Sequence, residues 1–272
     1  MLAEQRYQKI INLMQTDGSV KVADLKKKMG VSPETVRRDL ENMEAQGLIR
    51  RTRGGAFLAD KEEMPGERTI QYQNFSARER ENLESKVEIA EFAVRFIKEG
   101  QSIALDSGTT AYELARVIKR TFRSLTVVTN SIAILNELAD AKGITLIATG
   151  GVYRPEELAF VSDIAGMIFS KLSINLFFLT TCGISVDRGI TYQRMDEIIV
   201  QEKMMEASDQ TIVIADSTKL GVNSLVKMCD IDRVGMIITD SEAAKEQIQP
   251  FEQAGIRVEK PEKQGDKGHG AK

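Results

Sequence analysis

Two groups of residues in this sequence have the types and spacing to do chemistry. The first is Ser32, Glu34, Thr35, Arg37 and Arg38, a polar run that opens with Ser32-Pro33. Serine followed by proline is a strong helix start, because the hydroxyl accepts a free amide and proline has no amide to satisfy. Arg38 stands about 200° around such a helix from Val36, so burying Val36 turns Arg38, with Arg37 beside it, to solvent. Outward arginines on the first turns of a helix can read guanine edges in a major groove while neighbouring side chains fix phosphates. The second group is Asp106-Ser107-Gly108-Thr109-Thr110, which leads into a helix beginning near Ala111. Glycine allows close backbone approach, the hydroxyls of Ser107, Thr109 and Thr110 can donate, and the open amides of a helix start attract an anion. This is chemistry for holding a phosphate. It is neither a P-loop, since no Gly-Lys-Ser/Thr follows, nor a dinucleotide fingerprint, since G-x-G-x-x-G is missing.

Four further stretches add polar or glycine-rich elements: Thr129-Asn130-Ser131, Thr149-Gly150-Gly151, Cys182-Gly183 and Asp216-Ser217-Thr218-Lys219. Lys219 can neutralise a phosphate, and Asp106 or Asn130 can bond sugar hydroxyls. Each also fits a purely structural role: Asp106 and Asn130 as caps, Gly150-Gly151 as a tight turn, Lys219 as a surface lysine. Their shared position after apolar runs favours one pocket. Catalysis and metal binding find little support, and no cofactor is expected. The single histidine, His269, lies in a Gly- and Lys-rich tail, and Cys182 and Cys229 are isolated in apolar stretches and read as buried thiols.

The elements around the first group form a compact head, residues 1–58. Tyr7, Ile10, Ile11 and Met14 make a helical stripe stopped by Asp17-Gly18. A second short helix carries Val22, Leu25 and Met29 and ends at Gly30, and the third buries Val36, Leu40 and Met43. Leu48-Ile49 is a short strand, and Arg50 to Phe57 reads as a hairpin whose tip carries Arg51 and Arg53, the wing of a winged helix suited to phosphate or minor-groove contact. Asp39 and Glu41 soften the positive face. Aromatic residues in the head are only Tyr7 and Phe57, which leaves no stacking platform for single strands or RNA. Duplex DNA is the expected partner.

Residues 59–83 read as a linker, ordered in part by Ile70, Tyr72 and Phe75. From residue 84 helices alternate with short apolar strands at 102–106, 125–129, 144–149, 176–181, 211–215 and 236–239. Helices are expected near 110–121, 131–140, 159–170, 193–208 and 241–253. Strands apolar throughout and separated by helices predict an α/β domain, a parallel sheet covered on both faces, over 84–258. Ligands of such sheets collect beyond the carboxyl ends of the strands, where the second group and its companions fall. Residues 259–272 read as a disordered tail.

Composition agrees with this division. The 272 residues are 42% hydrophobic and 28% charged, and the net charge of −3 is unevenly spread. The head holds eleven Lys/Arg against seven Asp/Glu, a balance of +4, which leaves −7 for the rest. Only the head is therefore built to meet a polyanion. With no apolar run of about 18 residues and no signal-peptide pattern, a soluble cytoplasmic protein without membrane contact is expected.

Val31-Ser32-Pro33-Glu34-Thr35-Val36-Arg37-Arg38-Asp39-Leu40, Gly47-Leu48-Ile49-Arg50-Arg51 and Gly54-Gly55-Ala56 resemble the winged helix-turn-helix of the DeoR family of bacterial transcription regulators. The likeness places the helix-turn-helix at about 20–39. Lys21-Val22 stands where relatives usually carry a Ser or Thr cap, so the second helix is expected to fray at its start. Leu105 to Thr110, Thr129-Asn130, Thr149-Gly150-Gly151, Gly183-Ile184-Ser185 and Ala215 to Gly221 resemble the family's C-terminal sensor domain, itself similar to ribose-5-phosphate isomerase and CoA-transferase-like folds. The resemblance implies a repressor released from its operator by a phosphorylated sugar or related metabolite. It assigns phosphate to Ser107, Gly108, Thr109 and Thr110, with Lys219 nearby. Thr180-Thr181-Cys182 replaces small residues common in the family, so ligand identity does not carry over. A homo-oligomer, dimer or tetramer, is expected because one winged helix reads few base pairs. The alternative is a sugar-phosphate isomerase or transferase with an accessory nucleic-acid head. Against it, Cys182 to Asp187 offers only Asp187 as a base, and Glu156-Glu157 and Asp196-Glu197 read as solvated charges.

Overall fold

The computed structural model describes residues 6, 7, 9, 10, 13, 19–45, 49–52, 55–58 and 73–263, and divides the chain into two compact units, Met1–Thr69 and Ile70–Lys272. In the first unit Arg6, Tyr7, Lys9, Ile10 and Leu13 are helical, and helices follow at Val22–Met29 and Pro33–Ala45. Ile10, Leu25, Val36, Leu40 and Met43 are buried together with Ile49 of a strand, so the helical spacing predicts this core correctly. Gly30 closes the first of the two helices in the left-handed conformation (φ +66°), donating its amide to the Lys26 carbonyl at 3.0 Å. The hairpin is present as β2 (Ile49–Thr52) and β3 (Gly55–Leu58).

One strand escapes the sequence reading. β1 (Ser19–Lys21) pairs with β3, Val20 opposite Ala56, and runs directly into the Val22–Met29 helix. The missing Ser or Thr cap therefore does not leave that helix to fray, because pairing to β3 fixes the backbone up to Lys21. Asp39 departs from expectation too. It is buried, and Arg6 donates to both its oxygens, from Nε at 2.6 Å and Nη2 at 2.7 Å. Asp39 thus clamps the Pro33–Ala45 helix to the N-terminal helical segment instead of softening the exposed face.

The second unit is built on a seven-stranded sheet of order β15-β14-β12-β9-β4-β5-β6, parallel throughout: β4 Ser102–Leu105, β5 Leu125–Thr129, β6 Ile144–Ala148, β9 Ile174–Leu179, β12 Ser208–Ile214, β14 Met236–Ile238 and β15 Arg257–Glu259. Side chains alternate between its faces. Ile103, Leu105, Val127, Phe178, Ile212 and Ile238 pack under the helices Leu83–Ala93 and Thr109–Thr121, while Ala104, Val128, Phe177, Leu179, Val213 and Ile237 pack against the helix Met195–Glu206 and its neighbours. The chain goes from β4 outward to β5 and β6, then returns to β9 on β4's other side, so the strand order reverses between β4 and β9.

Several short elements correct the sequence reading. The helix expected near 159–170 begins instead with β8 (Ala159–Val161), paired with β7 (Val152–Arg154), before a short helix at Asp163–Gly166 and a tight turn of helix at Met167–Lys171. A second sheet, β10 (Gly183–Ser185), β11 (Gly189–Tyr192) and β13 (Val226–Cys229), was hidden because β13 comes from far along the chain. The stretch 59–83 is not all connection. Asn74 caps a helix at Phe75–Arg80 whose Phe75 is buried edge-on against Tyr112, while Ile70 and Tyr72 lie outside the described residues. β15 carries the body through Glu259. Among the described residues no helix is long and apolar enough to cross a membrane.

Candidate functional site

In the first unit the Ser32 hydroxyl accepts the Thr35 amide at 3.1 Å and meets the Thr35 hydroxyl at 2.8 Å, so both side chains set the start of the Pro33–Ala45 helix. Glu34, Arg37 and Arg38 are exposed. Arg37 is loosely paired with Glu34 at 3.6 Å, an exposed contact that contributes little and is easily exchanged for another anion. Arg51 lies on β2 opposite Ala56. Its side chain, and Arg53 altogether, lie outside the described residues. The helix thus offers two outward guanidinium groups on its first turns, held by a buried stripe and by the Arg6–Asp39 clamp.

In the second unit the strand order reverses between β4 and β9, and the loops after these two strands flank the resulting crevice. Asp106 joins them. It is fully buried; its oxygens accept the Gly108 amide at 3.0 Å, the Thr180 amide at 2.8 Å and the Thr180 hydroxyl at 2.8 and 2.9 Å. Burial pushes its carboxyl above the usual range, and these donors oppose that shift. Asp106 is therefore committed to holding the two loops together, with no exposed surface of its own. Gly108 sits so close to Thr180 that a Cβ would fall 1.9 Å from the Thr180 hydroxyl oxygen. The glycine is required by this approach, and its φ of −75° is ordinary.

The helix beyond the loop opens at Thr109, two residues earlier than expected, and has no side-chain cap. Its first amides are left without intrahelical partners. The hydroxyls of Ser107, Thr109 and Thr110 form no hydrogen bond to another described residue. Other strand-end loops are closed by their own side chains: Ser131 accepts the Ile134 amide, and Asp216 and Asp240 between them take the amides of Ser217, Thr218 and Glu242. Asp106 closes the loop after β4 in the same way by taking the Gly108 amide, but the helix that follows has no side-chain acceptor at its start.

Asn130 is buried; its amide nitrogen donates to the Phe160 carbonyl at 2.9 Å, and its Oδ1 has no partner among the described residues. Gly150 and Gly151 take positive φ (+66° and +112°) and turn the chain into β7; a Cβ on Gly151 would crowd Ala165. Lys219 is half-buried, and its charge acts on Cys182 and Lys86.

A charged cluster that sequence reading passed over adjoins this loop. Arg78 donates to Glu157, which is 4% exposed, and Arg154 and Arg194 both pair with Asp196. Arg78 is near enough to Asp106, Cys182 and Glu197 to act on their titration. Burial pushes the Glu197 carboxyl up to about 7, opposed by Arg78 and Arg194. Burial and Glu197 push the Glu157 carboxyl up, and the Arg78 guanidinium bonded to it opposes that rise by favouring the charged form. Glu157, Asp196 and Glu197 are thus not simply solvated charges, whereas Glu156 is exposed as the sequence reading has it. Lys86, also buried, donates to the Arg78 and Glu81 carbonyls, and burial lowers its ammonium below the ordinary lysine value. Cys182 and Cys229 are half-buried thiols, each pushed up to about 11 by burial, which keeps them protonated. The signal that could have found the cluster is weak: three arginines and three carboxylates, dispersed over 120 residues, that only the fold assembles.

Comparison with known proteins adds two family matches: a DeoR-like helix-turn-helix domain at residues 6–62 and a DeoR C terminal sensor domain at 81–241. The HTH-type transcriptional regulator YulB of Bacillus subtilis is 32% identical over 95% of this chain and 96% of its own. The lactose phosphotransferase system repressor of Lactococcus lactis is 29% identical over 93% and 97%. Ribose 5-phosphate isomerase A of Methanocaldococcus jannaschii aligns with a TM-score of 0.38 and 14% identity, over 51% of this chain and 54% of its own.

Two outcomes follow from the geometry. Asp106→Ala strands the amides of Gly108 and Thr180 in a buried setting, and the body should lose about 2–4 kcal/mol in denaturant melts; a loss under about 0.5 kcal/mol would show that the staple is dispensable. Glu197, raised to about 7 from 4.5, binds its proton more tightly folded than unfolded, so its contribution to stability falls as pH rises from about 4.5 to 7. Glu197→Gln should therefore raise the melting temperature more at pH 8 than at pH 5, as thermal scans at the two pH values would register.

Proposed function

The chain belongs to the DeoR family of transcription regulators, and from that premise we propose that it is a repressor released from its operator by a phosphorylated sugar or related metabolite. It is a DNA-binding regulator and not an enzyme, which sets aside the isomerase or transferase reading. The observation that carries the effector half is the loop after β4: an uncapped helix start with unspent hydroxyls, at the point where the strand order reverses. Ser107, Gly108, Thr109 and Thr110 hold the phosphoryl group, Lys219 balances its charge, the unpartnered Oδ1 of Asn130 accepts a sugar hydroxyl, and Gly150-Gly151 shape the adjoining turn. The lactose phosphotransferase system repressor supports a sugar-linked signal by its name.

Residues 1–58 bind duplex DNA through Arg37 and Arg38, with Ser32, Glu34 and Thr35 around them and Arg51 and Arg53 on the wing. Residues 84–258 bind effector and associate as a cytoplasmic homo-oligomer, because paired half-sites give the specificity one head lacks. Release requires that the effector bind one arrangement of the body better than the other; equal affinity for both would shift nothing.

Arg38→Ala should weaken binding to a selected operator duplex about ten- to a hundredfold while sugar-phosphate affinity stays put. Unchanged operator binding in fluorescence anisotropy would mean that another helix reads the DNA. Replacing Thr109 and Thr110 together by valine should leave operator binding intact and abolish release by a sugar phosphate identified in a thermal-shift screen. A double variant that still lets go at the wild-type effector concentration would refute the phosphate assignment.

A further inference from the structure

The first described segment after the head, Gln73 through the Phe75–Arg80 helix, is fastened to the tip of the β7–β8 hairpin at two points. Phe75 donates its amide to the Glu156 carbonyl at 2.8 Å, and Arg78 donates from Nη2 to the Glu157 carboxylate. The same tip is tied to the loop after β5. Ile132 donates to the Leu158 carbonyl at 2.7 Å, Phe160 donates to the Asn130 carbonyl at 2.8 Å, and the Asn130 side chain returns a bond to Phe160. One hairpin tip therefore links the strand-end site to the segment that continues into the DNA-binding head.

Arg78 is the hinge of this arrangement. Its Nη2 is given to Glu157, but its Nε is buried with no hydrogen-bond partner among the described residues. A guanidinium presents its donors as a fork matched to a phosphoryl group, which offers more oxygens and more charge than a carboxylate. The helix that carries Arg78 packs through Phe75 edge-on against Tyr112, on the first turn of the helix whose start has the open amides, and the Arg78 side chain is 28% exposed.

We propose that Glu157 is a built-in competitor for Arg78: a phosphoryl ligand at the strand-end site takes the guanidinium from Glu157, and the Phe75–Arg80 helix loses one of its two ties to the hairpin tip. This deepens the effector reading above and rests on it. The empty site holds the helix through Glu157, and the occupied site holds Arg78 through the ligand. The two states differ in a contact that the ligand itself makes, which is what a population shift requires.

The test uses the full chain and inorganic phosphate. Glu157→Gln removes the competing charge and should tighten phosphate binding about tenfold by calorimetry, whereas Arg78→Lys, which keeps the charge and loses the fork, should weaken it about tenfold. Hydrogen exchange on the wild type needs no variant: saturating phosphate should speed exchange at the amides of Phe75 to Arg80, and in Glu157→Gln these should exchange faster before phosphate is added. If wild type binds phosphate but Glu157→Gln binds no tighter, or exchange over Phe75 to Arg80 does not change at saturation, the competition is refuted and the effector reading stands. If wild type binds neither inorganic phosphate nor any sugar phosphate, both fall.

Discussion

A carboxylate wholly removed from water is tolerated only when hydrogen-bond donors replace the water it has lost. Asp106 meets that condition with donors from two different loops, its own and the one after β9. The bonds therefore cross the crevice where the strand order reverses and fix its two walls at one spacing. Gly108 follows from this, since Thr180 stands where any other side chain would be. The Thr180 carbonyl in turn accepts the Tyr192 hydroxyl, which extends the staple to β11 and the second sheet. Because the turn is formed by Asp106, the Thr109–Thr121 helix starts without a side-chain cap.

The head repeats the same physics on a smaller scale. Asp39 is buried and both its oxygens are taken by Arg6, so the Pro33–Ala45 helix is held at a fixed rotation against the N-terminal helical segment. Losing Arg6 would strip the buried Asp39 of both these bonds, which is costlier than the pair is stabilising. Arg37 and Arg38 owe their outward position to this clamp and to the buried stripe of Val36, Leu40 and Met43. In the body the charges are arranged differently. Arginines and carboxylates are interleaved around the strand-end site, so its positive groups are screened locally while the surplus of acid elsewhere discourages DNA from adhering to the body.

Periodicity found what is local. The buried stripe of the Pro33–Ala45 helix, its Ser32-Pro33 start, the hairpin of β2 and β3 and the alternation of helices with apolar strands are properties of segments a dozen residues long or less, and the corresponding elements stand within a few residues of where the sequence puts them. The strands that escaped, β1, β7, β8, β10, β11, β13 and β15, are three or four residues each. Such segments have too few positions to show a period, and those of β1, β13 and β15 find partners distant in sequence. Ala159 to Ser170 shows the conflict directly: its pattern suits a helix, but pairing of β8 with β7 and a bridge to Ser131 takes its first residues.

The sequence by itself determined the two-part division of charge, the family, the helix that presents Arg37 and Arg38, and the glycine-containing loop that opens the Thr109–Thr121 helix. These follow from residue types at short spacing, where a cap, a turn or an apolar stripe is a local matter of sterics and hydrogen bonding. Only the tertiary structure decided that Asp106 is buried and bonded to two loops, that Asp39 is clamped and not exposed, and that Arg78, Glu157, Arg194 and Glu197 gather together. The reason is that burial depends on what packs against a residue, and the strength of a charge depends on burial. A carboxylate reads identically in the sequence whether water or another strand will surround it.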